Sequence, residues 1–129
     1  MTIELQMLVL SAVLGLVQIV LSSHSASRQH GYRWAAGSRD EIVPPLQGVA
    51  GRLERALRNF AETFPLFAAA VLVAGIANRH SWMTVHGSEL YFIARVAYVP
   101  LYAFGVRLVR SFVWNAATMG IVLILIALL

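Results

Sequence analysis

Arg55, Arg58, Asn59 and Glu62 recur at steps of three and four, the spacing that places side chains on one face of a helix. Two guanidinium groups, a carboxamide and a carboxylate on one stripe form a polar seam that can take an anionic guest, because guanidinium forks match carboxylates. The stretch that carries them, Arg52 to Ile76, is charged in its first half and apolar in its second. As one helix, rising about 1.5 Å per residue, it is longer than the roughly 30 Å hydrocarbon layer, so its arginines reach the headgroup region. Ionisable groups at that depth turn toward protein or water and mark a functional site by default. The plainer reading is a seam that joins helices, with Glu62 paired to Arg55 or Arg58. One carboxylate cannot neutralise the arginines gathered there, which favours the ligand.

A second set lies downstream. Arg95, Tyr98 and Tyr102 stand at steps of three and four in another apolar segment, and a lone intramembrane arginine calls for a partner such as Glu62 or a ligand carboxylate. The tyrosines fit packing or an interfacial belt as well as a ligand site. Arg107 and Arg110 follow, the latter ahead of Ser111.

The elements that must position these residues are membrane spans. Of 129 residues, 59% are hydrophobic and 12% charged, and the mean hydropathy is +0.72, beyond what a soluble domain of this size needs. Four apolar helices are predicted, at about 3–22, 51–77, 89–106 and 109–129, in a single domain over residues 1–129. The first resembles a signal peptide only superficially: it lacks a basic amino-terminal region, and Glu4 is its one early charge. Ser11 with Gly15, and Ala116 with Gly120, are small-residue pairs suited to close helix packing, and Gln18 is a polar residue inside the first span. Ser23 to Val49 reads as a polar connection with Pro44-Pro45. Within it Arg33-Trp34 suits a headgroup anchor, and Arg33 and Arg39 could reach a site if the loop folds over one. Pro65 and Pro100 are expected to bend their helices.

All ten cations are arginine. With four spans, the first and third connections share a side that holds eight of them, against Arg79 alone in the second connection. The positive-inside rule puts that side in the cytoplasm and both termini opposite. The basic pI of 10.4 therefore reflects orientation and not nucleic-acid binding. There is no cysteine, which removes disulfides, thiolate metal sites and a cysteine nucleophile; any thiol chemistry must use the substrate's sulfur. His24, His30, His80 and His86 fall in polar connections without helical metal-ligand spacing, so no metal is expected.

These residues resemble the MAPEG family, the small four-helix membrane proteins of eicosanoid and glutathione metabolism, as a bacterial-type member. Arg55-Ala-Leu-Arg58-Asn59-Phe-Ala-Glu62-Thr63-Phe-Pro65 is similar to the family's second-helix element, and Ala94-Arg95-Val-Ala-Tyr98-Val-Pro-Leu-Tyr102 to its third-helix element. The resemblance covers nearly the whole chain. It implies an all-α homotrimer of four-helix subunits with glutathione, a co-substrate, between neighbouring subunits near the cytoplasmic face. Arg55, Asn59 and Glu62 would hold the peptide's carboxylates and amine; Arg58 follows the prostaglandin E synthase and microsomal transferase pattern; Arg95, Tyr98 and Tyr102 would complete the pocket. The family's catalytic arginine, at the start of the fourth helix, matches Arg110 best. Its spacing from Tyr102 departs from the well-known members, which leaves Arg107 as the alternative. The activity implied is a glutathione transferase or glutathione-dependent peroxidase acting on a lipophilic electrophile from the membrane lipid. Two other readings are a non-catalytic lipid-binding scaffold of the same fold and a small transporter. The transporter is disfavoured, because the polar residues gather at one end of the membrane.

Overall fold

The computed structural model describes residues 1–129. The chain is all-α: α1 (Ile3–His30), a short α2 (Tyr32–Ala36), α3 (Gly48–Ile76), α4 (Trp82–Ala103) and α5 (Arg107–Leu128). The four long helices alternate in direction. At one end the start of α1 meets the start of α4, where Glu4 Oε1 accepts from Thr84 Oγ1 at 2.7 Å and from His80 Nδ1 at 3.0 Å, and Arg79 donates to the carbonyl of Leu128 near the end of α5. At the other end Gln29 and Gln47 exchange two hydrogen bonds, and Arg52 Nε donates to the Ala103 carbonyl at 2.7 Å, fastening the start of α3 to the end of α4.

Burial along α1 is inverted relative to a soluble helix. Its buried face is Glu4, Ser11, Gly15, Gln18 and Ser22, while Val13, Leu16, Val17, Ile19 and Val20 are exposed. Hydrocarbon makes such an exterior favourable. In it, helices associate through small and polar residues, because lipid is as apolar as leucine. α1, α3 and α5 are each long and apolar enough to cross a membrane. α4, at 22 residues or about 33 Å, matches α5 in length but holds no continuous stretch as apolar as theirs, and its inner face of Thr84, Ser88, Tyr91, Arg95 and Tyr98 is buried. The protein is an integral membrane protein built as a helical bundle.

The core joins α3 to α4 and α5. The Phe67 and Tyr91 rings stack with centroids 4.0 Å apart, Tyr91 OH lies 3.0 Å from Thr63 Oγ1, and Ala117, Ile121 and Ile124 close the cluster from α5. α4 and α5 approach most closely at two glycines. A Cβ on Gly120 would fall 2.5 Å from the Gly87 carbonyl oxygen and 2.9 Å from the Tyr91 nitrogen.

The helices begin and end differently from expectation. α1 continues through Ser23–His30, expected as loop, because a helix needs no apolar residues where it projects beyond the hydrocarbon; it stops at Gly31, whose φ of 98° leaves the helical region. α4 begins at Trp82, ahead of the expected Glu89, because Ser81 and Thr84 form a reciprocal capping box, and it ends at Ala103, ahead of Gly105 at φ 74°. His24, His30 and His86 are consequently helical. Pro65 lies within an uninterrupted α3.

The Glu4 contact fastens two helices at the end where Arg79 is the one arginine. Glu4→Ala removes both bonds but leaves the Thr84 hydroxyl on Ser81 and His80 open to solvent, and is expected to lower the free energy of unfolding by about 0.5–1.5 kcal/mol. Titration of the purified protein with denaturing detergent measures this, and an unchanged midpoint would show the contact to be idle.

Candidate functional site

Tyr102, near the end of α4, is held between cations from the helices on either side. Arg55 Nε, from α3, donates to Tyr102 OH at 3.2 Å, and the Arg110 guanidinium, from the first turn of α5, lies over the Tyr102 ring with its carbon 4.6 Å from the centroid. Tyr98, one turn earlier, sits 5.4 Å from Tyr102 between centroids and is buried. A guanidinium over an aromatic face is attracted by the ring's negative surface, so Tyr102 orients both arginines without neutralising either.

Arg110, Tyr102, Tyr98 and Asn59 line one open cleft of about 460 Å³ together with Ser111, Trp114 and Asn115. Of the two arginines left as alternatives, Arg110 faces this cleft; Arg107 is exposed and does not line it. Ser111, Trp114 and Asn115 carried no assigned role in the sequence. Their signal was the helical step, since Trp114 stands four residues from Arg110 and Asn115 four from Ser111.

Arg55 and Arg58 border a second cavity, of about 590 Å³, beneath the first connection. Its walls include Arg39, Trp34, Glu54 and the Pro44-Pro45 strap. The strap is tied down by hydrogen bonds from His30 Nε2 to the Pro44 carbonyl (2.7 Å) and from Trp34 Nε1 to the Glu41 carbonyl (3.1 Å). Arg39 lies over the Trp34 ring and takes a positive φ of 61°. Arg33 does not line this cavity. The loop therefore folds over the end of the bundle, and Arg39, not Arg33, shares a cavity wall with the arginines of α3.

The polar stripe of α3 is thus divided. Arg58 pairs with Glu54, 3.0 Å away and one turn back, and not with Glu62. Glu62 is exposed on the outside of the single-chain bundle, and no ion pair within the chain reaches it. Arg95 faces inward: it is 1% exposed, its Nη1 donates to Asn59 Oδ1 at 2.7 Å, and it does not line the cleft.

The arrangement offers an open, cation-lined cleft at one end of a membrane bundle, with amide, phenol and indole groups around it and no thiol. It can bind an anion and stabilise a negative charge that forms beside Arg110. Comparison with curated proteins gives no match. The family model for the MAPEG family matches residues 7–129, all but the first turn of the bundle, and the chain accordingly belongs to the MAPEG family, membrane proteins of glutathione and eicosanoid metabolism.

Proposed function

We propose that the protein is a membrane-bound glutathione transferase or glutathione-dependent peroxidase, in which Arg110 stabilises the glutathione thiolate for attack on a lipophilic electrophile that enters from the bilayer. The observation that carries this reading is the convergence of Asn59, Tyr98, Tyr102 and Arg110 on one cleft, with the Arg110 guanidinium fixed by the Tyr102 ring and no carboxylate lining that cleft. A free thiol titrates near pH 8.5, and a cation in a partly desolvated site favours its anion. Holding that thiolate beside an apolar electrophile supplies the remaining catalysis through proximity. The chain needs no nucleophile of its own.

In this reading Arg55 and Arg58 take carboxylates of the tripeptide and Glu62 takes its ammonium. Glu62 is exposed and has no ion-pair partner in its own chain, which supports a ligand that lies against a neighbouring copy in a homotrimer. An unpaired carboxylate on an apolar exterior is costly unless a neighbour or ligand covers it. The arginine-rich end, where the cleft opens, faces the cytoplasm, with both termini on the opposite side.

The test is the ultraviolet difference spectrum on adding reduced glutathione to protein purified in detergent. Wild type is expected to show thiolate absorbance at neutral pH, and Glu62→Ala to lose it along with glutathione binding. A correctly assembled wild type that binds no glutathione would sink this reading and leave a lipid-binding scaffold in its place.

A further inference from the structure

Arg95 is a buried cation in a membrane bundle and lies within reach of no carboxylate in its own chain. Its guanidinium carbon lies 4.5 Å from the Tyr98 ring centroid and 5.5 Å from that of Phe60. Its one hydrogen bond goes to Asn59, and its Nε and Nη2 are buried without a partner. A guanidinium only donates, so the Asn59 atom 2.7 Å from Arg95 Nη1 is the carboxamide oxygen. Asn59 lines the cleft, and with its oxygen engaged from behind, what it has left for the cleft is its NH2.

A second buried polar group lies nearby. Gln18 of α1 is 3% exposed, and neither its amide nitrogen nor its oxygen has a partner. α1 and α4 run parallel, and the Glu4–Thr84 hydrogen bond fixes their register. Equal steps along both helices bring Gly15 level with Arg95, and Gln18 one turn further on. Phe60 confirms the level: its ring fills the space a Gly15 side chain would need, 2.8 Å from the position of a Cβ, and the same ring lies under the Arg95 guanidinium. Of these four unpaired atoms, Arg95 Nε, Arg95 Nη2 and Gln18 Nε2 are donors and only Gln18 Oε1 accepts, so the Gln18 oxygen is the one atom of the set that can take a hydrogen bond from the guanidinium.

We propose that Arg95 is a positioning residue, backed by the Gln18 carboxamide. It fixes Asn59 so that the Asn59 NH2 receives a carboxylate oxygen of the ligand, and it touches no ligand itself. This rests on the glutathione reading and deepens it. Asn59 is assigned to an acceptor on the tripeptide, and the ammonium is left to Glu62.

A double-mutant cycle on the full chain in detergent tests it, with glutathione affinity measured by calorimetry and assembly checked by size exclusion. Asn59→Ala and Arg95→Met are each expected to weaken binding about tenfold, the loss of one hydrogen bond to a charged group. The double variant is expected to be no weaker than Asn59→Ala alone, because Arg95 acts only through Asn59. At saturating glutathione, Arg95→Met should keep the wild-type thiolate absorbance, since Arg110 is untouched. Gln18→Met, a milder change should Arg95→Met fail to assemble, is expected to weaken binding several-fold, and this effect too should vanish in the Asn59→Ala background. Losses that multiply to about a hundredfold in the Arg95 double variant would show that Arg95 contacts the ligand and overturn the proposal. Wild-type affinity in Gln18→Met would overturn the part given to Gln18. Wild type that binds no glutathione would overturn the glutathione reading and this assignment together, a result distinct from binding with multiplying losses.

Discussion

Replacing Arg110 with alanine is expected to lower turnover at pH 7 by roughly a hundredfold while leaving glutathione affinity within a few-fold of wild type. The two effects separate because Arg110 meets the sulfur, whereas the peptide's carboxylates and ammonium are held by residues of α3. Without the guanidinium, the bound thiol returns toward its ordinary pKa near 8.5, so only a few per cent is thiolate at neutral pH. The sign with pH follows. The variant's rate should climb about tenfold per unit between pH 6 and 8 and approach its limit above the thiol's ordinary pKa, where the wild type, already ionised, gains little. Stopped-flow assays with 1-chloro-2,4-dinitrobenzene across that range measure both arms. A variant whose pH profile overlays that of wild type would remove Arg110 from the chemistry. The same experiment on Arg107→Ala is the internal control, because Arg107 does not line the cleft.

The second large effect is structural and lies away from every residue named for binding. Gly120→Leu is expected to abolish glutathione binding and to shift detergent unfolding by more than any single change at the cleft. The atoms a Gly120 side chain would meet, the Gly87 oxygen and the Tyr91 nitrogen, are backbone and cannot swing aside, so α4 and α5 must separate. Overpacking of this kind costs about 1–3 kcal/mol for a small insertion, and a leucine exceeds that because no cavity receives it. Tyr98 and Tyr102 ride on α4 and Arg110 on α5, so separating the helices opens the cleft. Gly120→Ala should show a fraction of the same loss. If both variants unfold at the wild-type midpoint, the contact is not what holds these helices together.

Membrane residence and the helical bundle were legible in the sequence because the apolar runs exceed any core a soluble chain could enclose. The small-residue pairs were legible for a related reason: Gly15 and Gly120 are the points where Phe60 and α4 come closest. Helix ends were not, because hydropathy marks the edge of the hydrocarbon and not the end of hydrogen bonding. The polar segment Ser23–His30 stays helical, and the capping pair Ser81 and Thr84 starts α4 before its apolar stretch. Within the candidate site, helical spacing grouped residues by face but gave no depth. Arg95, Tyr98 and Tyr102 share a stripe, yet Arg95 is in the interior while Tyr98 and Tyr102 reach the cleft. Arg58 had carboxylates one turn away in both directions, Glu54 and Glu62. The pair with glutamate on the amino-terminal side is the stronger arrangement on a helix, and it is the one formed.

The inward polarity of α4 has a consequence for how that helix is held in the membrane. α1, α3 and α5 are each long and apolar enough to cross a membrane. α4, with Glu89 near its start and Arg95 in its middle, does not meet that standard, and a central arginine alone opposes insertion by about 2.5–3.5 kcal/mol. Its place in the membrane is therefore secured by its neighbours: by α5 through the glycine contact, and by α3, whose Asn59 oxygen accepts a hydrogen bond from Arg95. The helix that contributes both tyrosines to the cleft thus depends on its contacts with α3 and α5 for its place in the bilayer.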